Sequence, residues 1–249
     1  MKDLNIIDFT DFFFNGKYLS DFGGMVGDVS GGKLTYSLLP TREYITDKPF
    51  NYEGEIIFDT RLNPRTWEVP VYFKDLEDVN IRKIAKWLNS DQSSSFYFKG
   101  DTVRINARLD SDAYNLDTYS GFEGLTSLKF IAYDPYFYDI KRTIETIPRY
   151  SGLPLFNRGN VDCPCIIKAS GSGIITINLA GDNISSSCEI KAITNGVLVD
   201  TENMIVTSLS GENLFNSFSG DFIQIPSGRF NITVSGGITA QLEYHSRYI

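Results

Sequence analysis

Tyr119-Ser-Gly-Phe-Glu-Gly-Leu-Thr-Ser-Leu-Lys-Phe-Ile-Ala-Tyr-Asp-Pro-Tyr-Phe-Tyr138 is the stretch on which the reading of this chain turns. Leu128, Phe130 and Ala132 are apolar and alternate with Ser127 and Lys129, the two-residue period of a strand with one face buried. Asp134-Pro135 ends it, because proline has no N–H for a ladder bond and forces its predecessor into an extended or turn conformation. Upstream the chain is charged, aromatic and strand-rich; downstream it is rich in Gly, Ser, Asn and Thr. The strand is therefore read as closing a first domain, residues 1–145, ahead of a second over 146–249.

Working outward toward the N-terminus, Val103, Ile105, Ala107 and Leu109 alternate with Arg104, Asn106 and Arg108. With Phe96-Tyr97-Phe98 they predict a hairpin turned at Lys99-Gly100-Asp101. Asp78 to Leu88 is the one predicted helix. Ile81, Ile84, Ala85 and Leu88 make one apolar stripe, with acids at its start and lysines near its end to suit the helix dipole. Trp67, Val69, Val71 and Phe73 share a strand face, and Pro70 on the other face points to an edge or a bulge. With Glu55 to Asp59 across the Asn63-Pro64-Arg65-Thr66 turn, this strand is expected to form a paired projection. Residues 23–53 read as short strands and loops. Asn15-Gly16 between two aromatic runs predicts a type I′ hairpin, whose central residues both need positive φ.

Downstream of Gly152 short strands alternate with turns, as in a sandwich or jelly roll, and no helix is predicted. Ile175, Ile177 and Leu179 alternate before a turn at Gly181-Asp182-Asn183. Asn195-Gly196 marks a second type I′ hairpin between Glu189–Ile193 and Val197–Val199, and Ile238 to Tyr244 alternates throughout.

A chain of 249 residues exceeds the usual single domain, and 42% hydrophobic with 22% charged residues describes a soluble globular protein. The aromatic content, 14%, suits large cores or surfaces that partners cover. No apolar run reaches the ~18 residues a membrane helix needs, and Met1 to Asp8 lacks a signal-peptide core, so synthesis and retention in a cytoplasm until assembly are expected. The net charge is −8, with 17 basic and 23 acidic residues in 1–145 against 6 and 8 in 146–249. Neither half carries the basic excess of a sequence-specific nucleic-acid binder, and an acidic surface repels DNA.

Candidate chemistry is sparse. His245 is the lone histidine, and no Gly-x-Ser-x-Gly turn exists to present a nucleophile to it. Cys163-Pro-Cys165, Cys188 and His245 could be drawn as a zinc site, but the spacing is tighter than structural zinc pairs use, and small buried hydrophobes are the better reading. The acid pairs Asp110/Asp112 and Asp200/Glu202 match the two carboxylates of a glycosidase in composition only, since they sit by turns where solvated acids are ordinary. The rings of Tyr133 to Tyr138 could stack on sugars, but subunit contact is favoured. Gly23-Gly24, Gly31-Gly32 and Gly171-Ser-Gly173 lack the Lys-Ser/Thr and helix of a phosphate loop. The expectation is no catalytic residue, no cofactor and no metal.

Four segments together resemble one family. Phe14-Asn15-Gly16 through Asp21-Phe22-Gly23 is similar to the opening of the distal tail (Dit-type) proteins of long-tailed bacteriophages, and Phe122-Glu123-Gly124 with Asp134-Pro135-Tyr136-Phe137-Tyr138 is similar to the end of their first domain. Asn157-Arg158-Gly159 before Pro164-Cys165-Ile166-Ile167 resembles their second domain, as does Phe222 to Gly228 before Arg247-Tyr248-Ile249. The resemblance implies a mainly β protein: an N-terminal ring-forming β-sandwich with one helix, then a C-terminal galectin-like β-sandwich. It implies a structural virion component, a hexameric ring at the tail tip that joins the tail tube protein to the tail-associated fibre or lysin protein and a receptor-binding protein and lets DNA pass. Some members carry an inserted carbohydrate-binding module, for which this chain has no room. A tail-tip carbohydrate-binding adhesin and a glycoside hydrolase are the alternatives.

Overall fold

The computed structural model describes residues 7–27, 35–36, 39–51, 53–110, 114–119, 122–148, 152–182, 184–235 and 238–249. Contacts divide the chain into a first unit ending at Phe137 and a second running from Tyr138 to Tyr248. The sequence reading sets the division after residue 145. Residues 143–147, however, pair along their whole length with the strand that ends at Tyr244, and this ties the chain from Tyr138 onward to the second unit.

The first unit runs through β1 (Asp8–Phe14), β2 (Lys17–Tyr18), β3 (Gly24–Val26), β4 (Thr35–Tyr36), β5 (Arg42–Asp47), β6 (Ile56–Leu62) and β7 (Arg65–Phe73). The helix α1 (Asp78–Leu88) follows, then β8 (Ser94–Lys99), β9 (Val103–Leu109), β10 (Asp117–Tyr119) and β11 (Glu123–Ala132). Asn15 and Gly16 take φ of 44° and 80°, which closes the expected β1–β2 hairpin. The main sheet has the order β2-β1-β8-β9-β11-β7-β3. On a flat sheet β1 and β11 would stand three strand spacings apart, about 14 Å. The rings of Phe14 on β1 and Phe130 on β11 are nevertheless 5.1 Å apart. The sheet has curled until its two ends face each other, so the expected sandwich is made by one sheet folded over on itself.

The β11 strand is the spine of this unit. It pairs with β7 from Gly124↔Phe73 to Ala132↔Arg65, and Leu128, Phe130 and Ala132 are fully buried. Val69, Val71 and Phe73 lie on the same buried face of β7. The Pro70 carbonyl accepts from Gly27 N–H at 2.9 Å, so the side of β7 on which proline has no N–H faces the short strands β3 and β4, not β11. The projection is a different pair from the one expected: β6 pairs with β5, while β7 goes to β11. The apolar face of β7 needs burial, and only the core sheet supplies it.

The limits of α1 are those read from the sequence, but its anchor is not. Ile84 and Trp87 are buried while Ala85 is exposed. Trp87 stacks on Phe22 at 4.6 Å, and its Nε1–H donates to the Phe14 carbonyl at 2.6 Å.

The chain passes through β12 (Phe137–Asp139) into the second unit, which holds β13 (Thr143–Ile147), β14 (Leu153–Asn157), β15 (Cys165–Ser170), β16 (Gly173–Gly181), β17 (Ser185–Ile193), β18 (Val197–Asp200), β19 (Ile205–Ser208), β20 (Phe218–Gly220), β21 (Gly228–Val234), β22 (Thr239–Tyr244) and β23 (Arg247–Tyr248). Two five-stranded antiparallel sheets, β13-β22-β15-β18-β19 and β14-β21-β16-β17-β20, enclose a core of Ile167, Ile175, Ile177, Ile190, Val197 and Leu242 with other aliphatic side chains. The turn between β16 and β17 lies where expected, although its Asn183 is outside the described residues. Asn195-Gly196 is not a hairpin: β17 and β18 lie in different sheets, and the pair carries the chain across. Only Gly196 has a positive φ, 98°, where a type I′ turn needs two.

Candidate assembly interface

β5 and β6 form a two-stranded sheet of their own, from Arg42↔Leu62 to Asp47↔Ile56, with an irregularity that leaves Phe58 as the extra residue on β6. The base is tied by the Asn63 N–H, which donates to the Thr41 carbonyl at 2.9 Å. Every residue of β5 and all of β6 except Leu62 are exposed. Tyr44, Ile45, Ile56 and Ile57 are among them, Phe58 is 65% exposed, and Phe50 beyond β5 is 95% exposed. A two-stranded ladder is marginal alone in water, and apolar side chains gathered on one projection mark a contact surface. Its acids Glu43, Asp47, Glu53, Glu55 and Asp59 outnumber Arg42, Lys48 and Arg61. The sequence placed a projection in this region without giving Phe50 a role. The signal was available: a bulky ring after Pro49, in a stretch with no alternation that would bury it.

The residues with candidate chemistry are engaged elsewhere. His245 Nδ1 lies 2.7 Å from the Asp139 carbonyl, which can only accept, so this nitrogen carries the proton; Nε2 lies 3.5 Å from Arg142 Nε. No hydroxyl nucleophile is placed on the ring by these bonds. Cys163, Cys165 and Cys188 are buried free thiols in the core of the second unit, and burial pushes each up to about 12, which leaves them protonated and inert. Among the described residues no three of His, Cys, Asp and Glu are grouped as a metal site.

Asp110 pairs with Lys129 at 2.9 Å, and Asp112 lies outside the described residues. Asp200 caps its own turn: Oδ1 accepts from the N–H groups of Glu202 and Asn203, at 3.0 and 3.1 Å. In the aromatic run, Arg108 lies over Tyr133 at 4.8 Å, Arg65 over Phe137 at 5.1 Å and Arg247 over Tyr138 at 5.6 Å, so these rings already carry cations. Gly171-Ser-Gly173 is the turn between β15 and β16, Gly23-Gly24 leads into β3, and Gly31-Gly32 lies outside the described residues.

A buried carboxylate was not anticipated. Glu243 points to the outer face of β22, yet Lys168 and Arg142 close over it, the latter at 2.6 Å, and these bonds hold its carboxyl below the usual value. The stacked rings of Phe218 and Phe222, at 4.6 Å, with Phe215 beside them, were likewise unforeseen. No helix among the described residues is long and apolar enough to cross a membrane.

Residues 7–110 match a family model described as the phage tail protein N-terminal domain. The SPbeta prophage-derived uncharacterized protein YomH of Bacillus subtilis (strain 168) is 23% identical over 253 aligned positions, covering 96% of this chain and 97% of its own. The fold matches that of the Dit (gp 19.1) protein of phage SPP1, described as a paradigm of the hub adsorption apparatus in phages that infect Gram-positive bacteria. The TM-score is 0.72 at 16% identity, over 96% of this chain and 99% of that one. A chain of the phage P2 baseplate aligns over 94% of this chain and 97% of its own at 9% identity, with a TM-score of 0.49. The resemblance read from the sequence and the mainly β class both agree with these matches.

Proposed function

We propose that this chain, which carries a phage tail protein domain and the Dit fold, is a structural component of the distal tail, a hub on which the tail tube and the host-recognition apparatus meet. The observation that carries the reading is the β5–β6 hairpin: a projection with nothing of its own to bury, lined with apolar side chains that only another molecule can cover. Copies joined head to tail through such a projection close into a ring when the rotation permits. A ring of six, with first units forming the ring and galectin-like second units outside it, follows the family resemblance.

Its partners are then the tail tube protein at one face and, at the other, the tail-associated fibre or lysin protein and the receptor-binding protein. The acidic balance of the first unit suits a channel through which DNA slides without adhering. The protein works in the virion and performs no catalysis. Its candidate groups support this, since the thiols, His245, Asp110 and Asp200 are committed to core, turn and ion-pair contacts. Mass photometry and negative-stain imaging of the purified full chain, alone and mixed with the tube protein, test the reading. Rings are expected in at least the mixture; a monomer in both, with turnover or tight binding of a glycan, would favour the alternatives.

A further inference from the structure

The exposed hairpin has a complement on the same unit. Between α1 and the main sheet lies a groove of about 520 Å³, lined by Phe73, Leu76, Ile84 and Leu128, with Ala85 and Asn89 of the helix segment also against it. That volume falls within the ~300–1,000 Å³ of sites that enclose a compact apolar group. Arg82, Lys83 and Lys86 are exposed on the same helix, and none of the ion pairs among the described residues uses them. In a chain of net charge −8 this helix is a basic enclave, while the segment that follows Phe50 carries Glu53 and Glu55, both exposed. A hairpin end with an exposed ring at Phe50 and an acidic flank matches a mainly apolar groove with Arg82 and Lys86 at its rim.

We propose that the groove beneath α1 receives the hairpin of a second copy of this chain, with Phe50 seated against the floor formed by Ile84 and Leu128 and with Glu53 and Glu55 facing Arg82 and Lys86, which adjoin Ala85 and Asn89 on the helix surface. The inference rests on the assembly reading above and names its contact. The contact is heterologous: each copy offers one hairpin and one groove, so a chain of such contacts stays open-ended until rotation closes it. The occupant is a second copy because size, polarity and charge are matched within one sequence, and because Phe50 does not occupy the groove of its own chain. The ring supplies the buried aromatic anchor of the interface, and the charges fix which way the hairpin lies.

Two exposed positions allow a direct test that leaves the fold alone. A Lys48→Cys copy, which keeps Phe50, mixed with an Ala85→Cys copy under oxidised glutathione should give a disulfide-linked pair, with neither variant linking when oxidised by itself. The native thiols are buried and pushed up to about 12, so they add no background. Phe50→Ser should weaken association of full-length chains on the order of 30-fold. Lys86→Glu should weaken it too, and Glu53→Lys on the neighbouring copy should restore part of the loss. Wild-type rings that form while the mixture gives no cross-link would overturn the groove contact and leave the assembly reading intact. Absence of any wild-type assembly, with or without the tube protein, would overturn both.

Discussion

The two units solve the same problem with different side chains. The interior of the first is built from rings, with Phe12, Phe14, Phe22, Phe73, Trp87, Phe96 and Phe130 all buried; that of the second is built from Ile, Val and Leu. A sheet that curls back on itself leaves an interior of uneven width, and flat rings bridge it: Phe130 alone lies within 6 Å of Phe12, Phe14, Trp67 and Phe96. Two sheets stacked about 10 Å apart leave an even gap that β-branched side chains fill in layers. The difference extends to the surface. The curled unit carries the bare hairpin and the open groove, while the edge strand β19 of the second unit is partly covered by its own chain, with Leu214 N–H donating to the Val206 carbonyl at 2.9 Å. Among the described residues, the two-stranded projection with no buried face belongs to the first unit.

Substitutions can break that comparison. Phe130→Ala removes the ring on which the others converge and should cost about 3–5 kcal/mol, read as a drop in the denaturant midpoint with the first unit unfolding early. If the loss stays under about 1 kcal/mol, the rings are not what holds the curl. In the second unit the corresponding weak point is backbone. Gly196→Ala forces a Cβ to 2.5 Å from the Ala169 carbonyl at a φ of 98°, and should cost on the order of 2–3 kcal/mol.

Glu243 sharpens the contrast through pH. Its carboxyl is held low first by Lys168, so its contribution is complete above the unfolded carboxylate range and is lost as pH falls through the lowered folded value. Glu243→Gln should therefore cost about 1–2 kcal/mol at neutral pH and flatten the acid limb of a thermal-denaturation series. Ile177→Val should matter least, about 1 kcal/mol, because neighbouring aliphatic side chains can close on one lost methyl where planar rings cannot.

Much of this fold is legible in local pattern. The alternation of Leu128, Phe130 and Ala132 finds the spine, Asn15-Gly16 finds its hairpin, and the limits of α1 follow from charge and period. What stayed hidden is set by distant partners. Trp87 stands outside the Ile81-Ile84-Ala85-Leu88 stripe, and the donor bond that anchors it reaches 73 residues back to Phe14. Asn195-Gly196 announced a turn, and turn chemistry does not say whether the next strand joins the same sheet or the opposite one. β5 carries no buried face, so periodicity had nothing to detect. The candidate interface was visible only as a projection, because Phe50 becomes conspicuous once its exposure is known.

The three sequestered thiols give this protein a built-in stopwatch. A maleimide pulse will leave folded copies unmarked and tag only those whose second unit has opened, since all three sulfurs lie in that one core. Counting adducts by mass over time would then read the opening rate of the second unit within the full chain, where neither calorimetry nor denaturant isolates a single module.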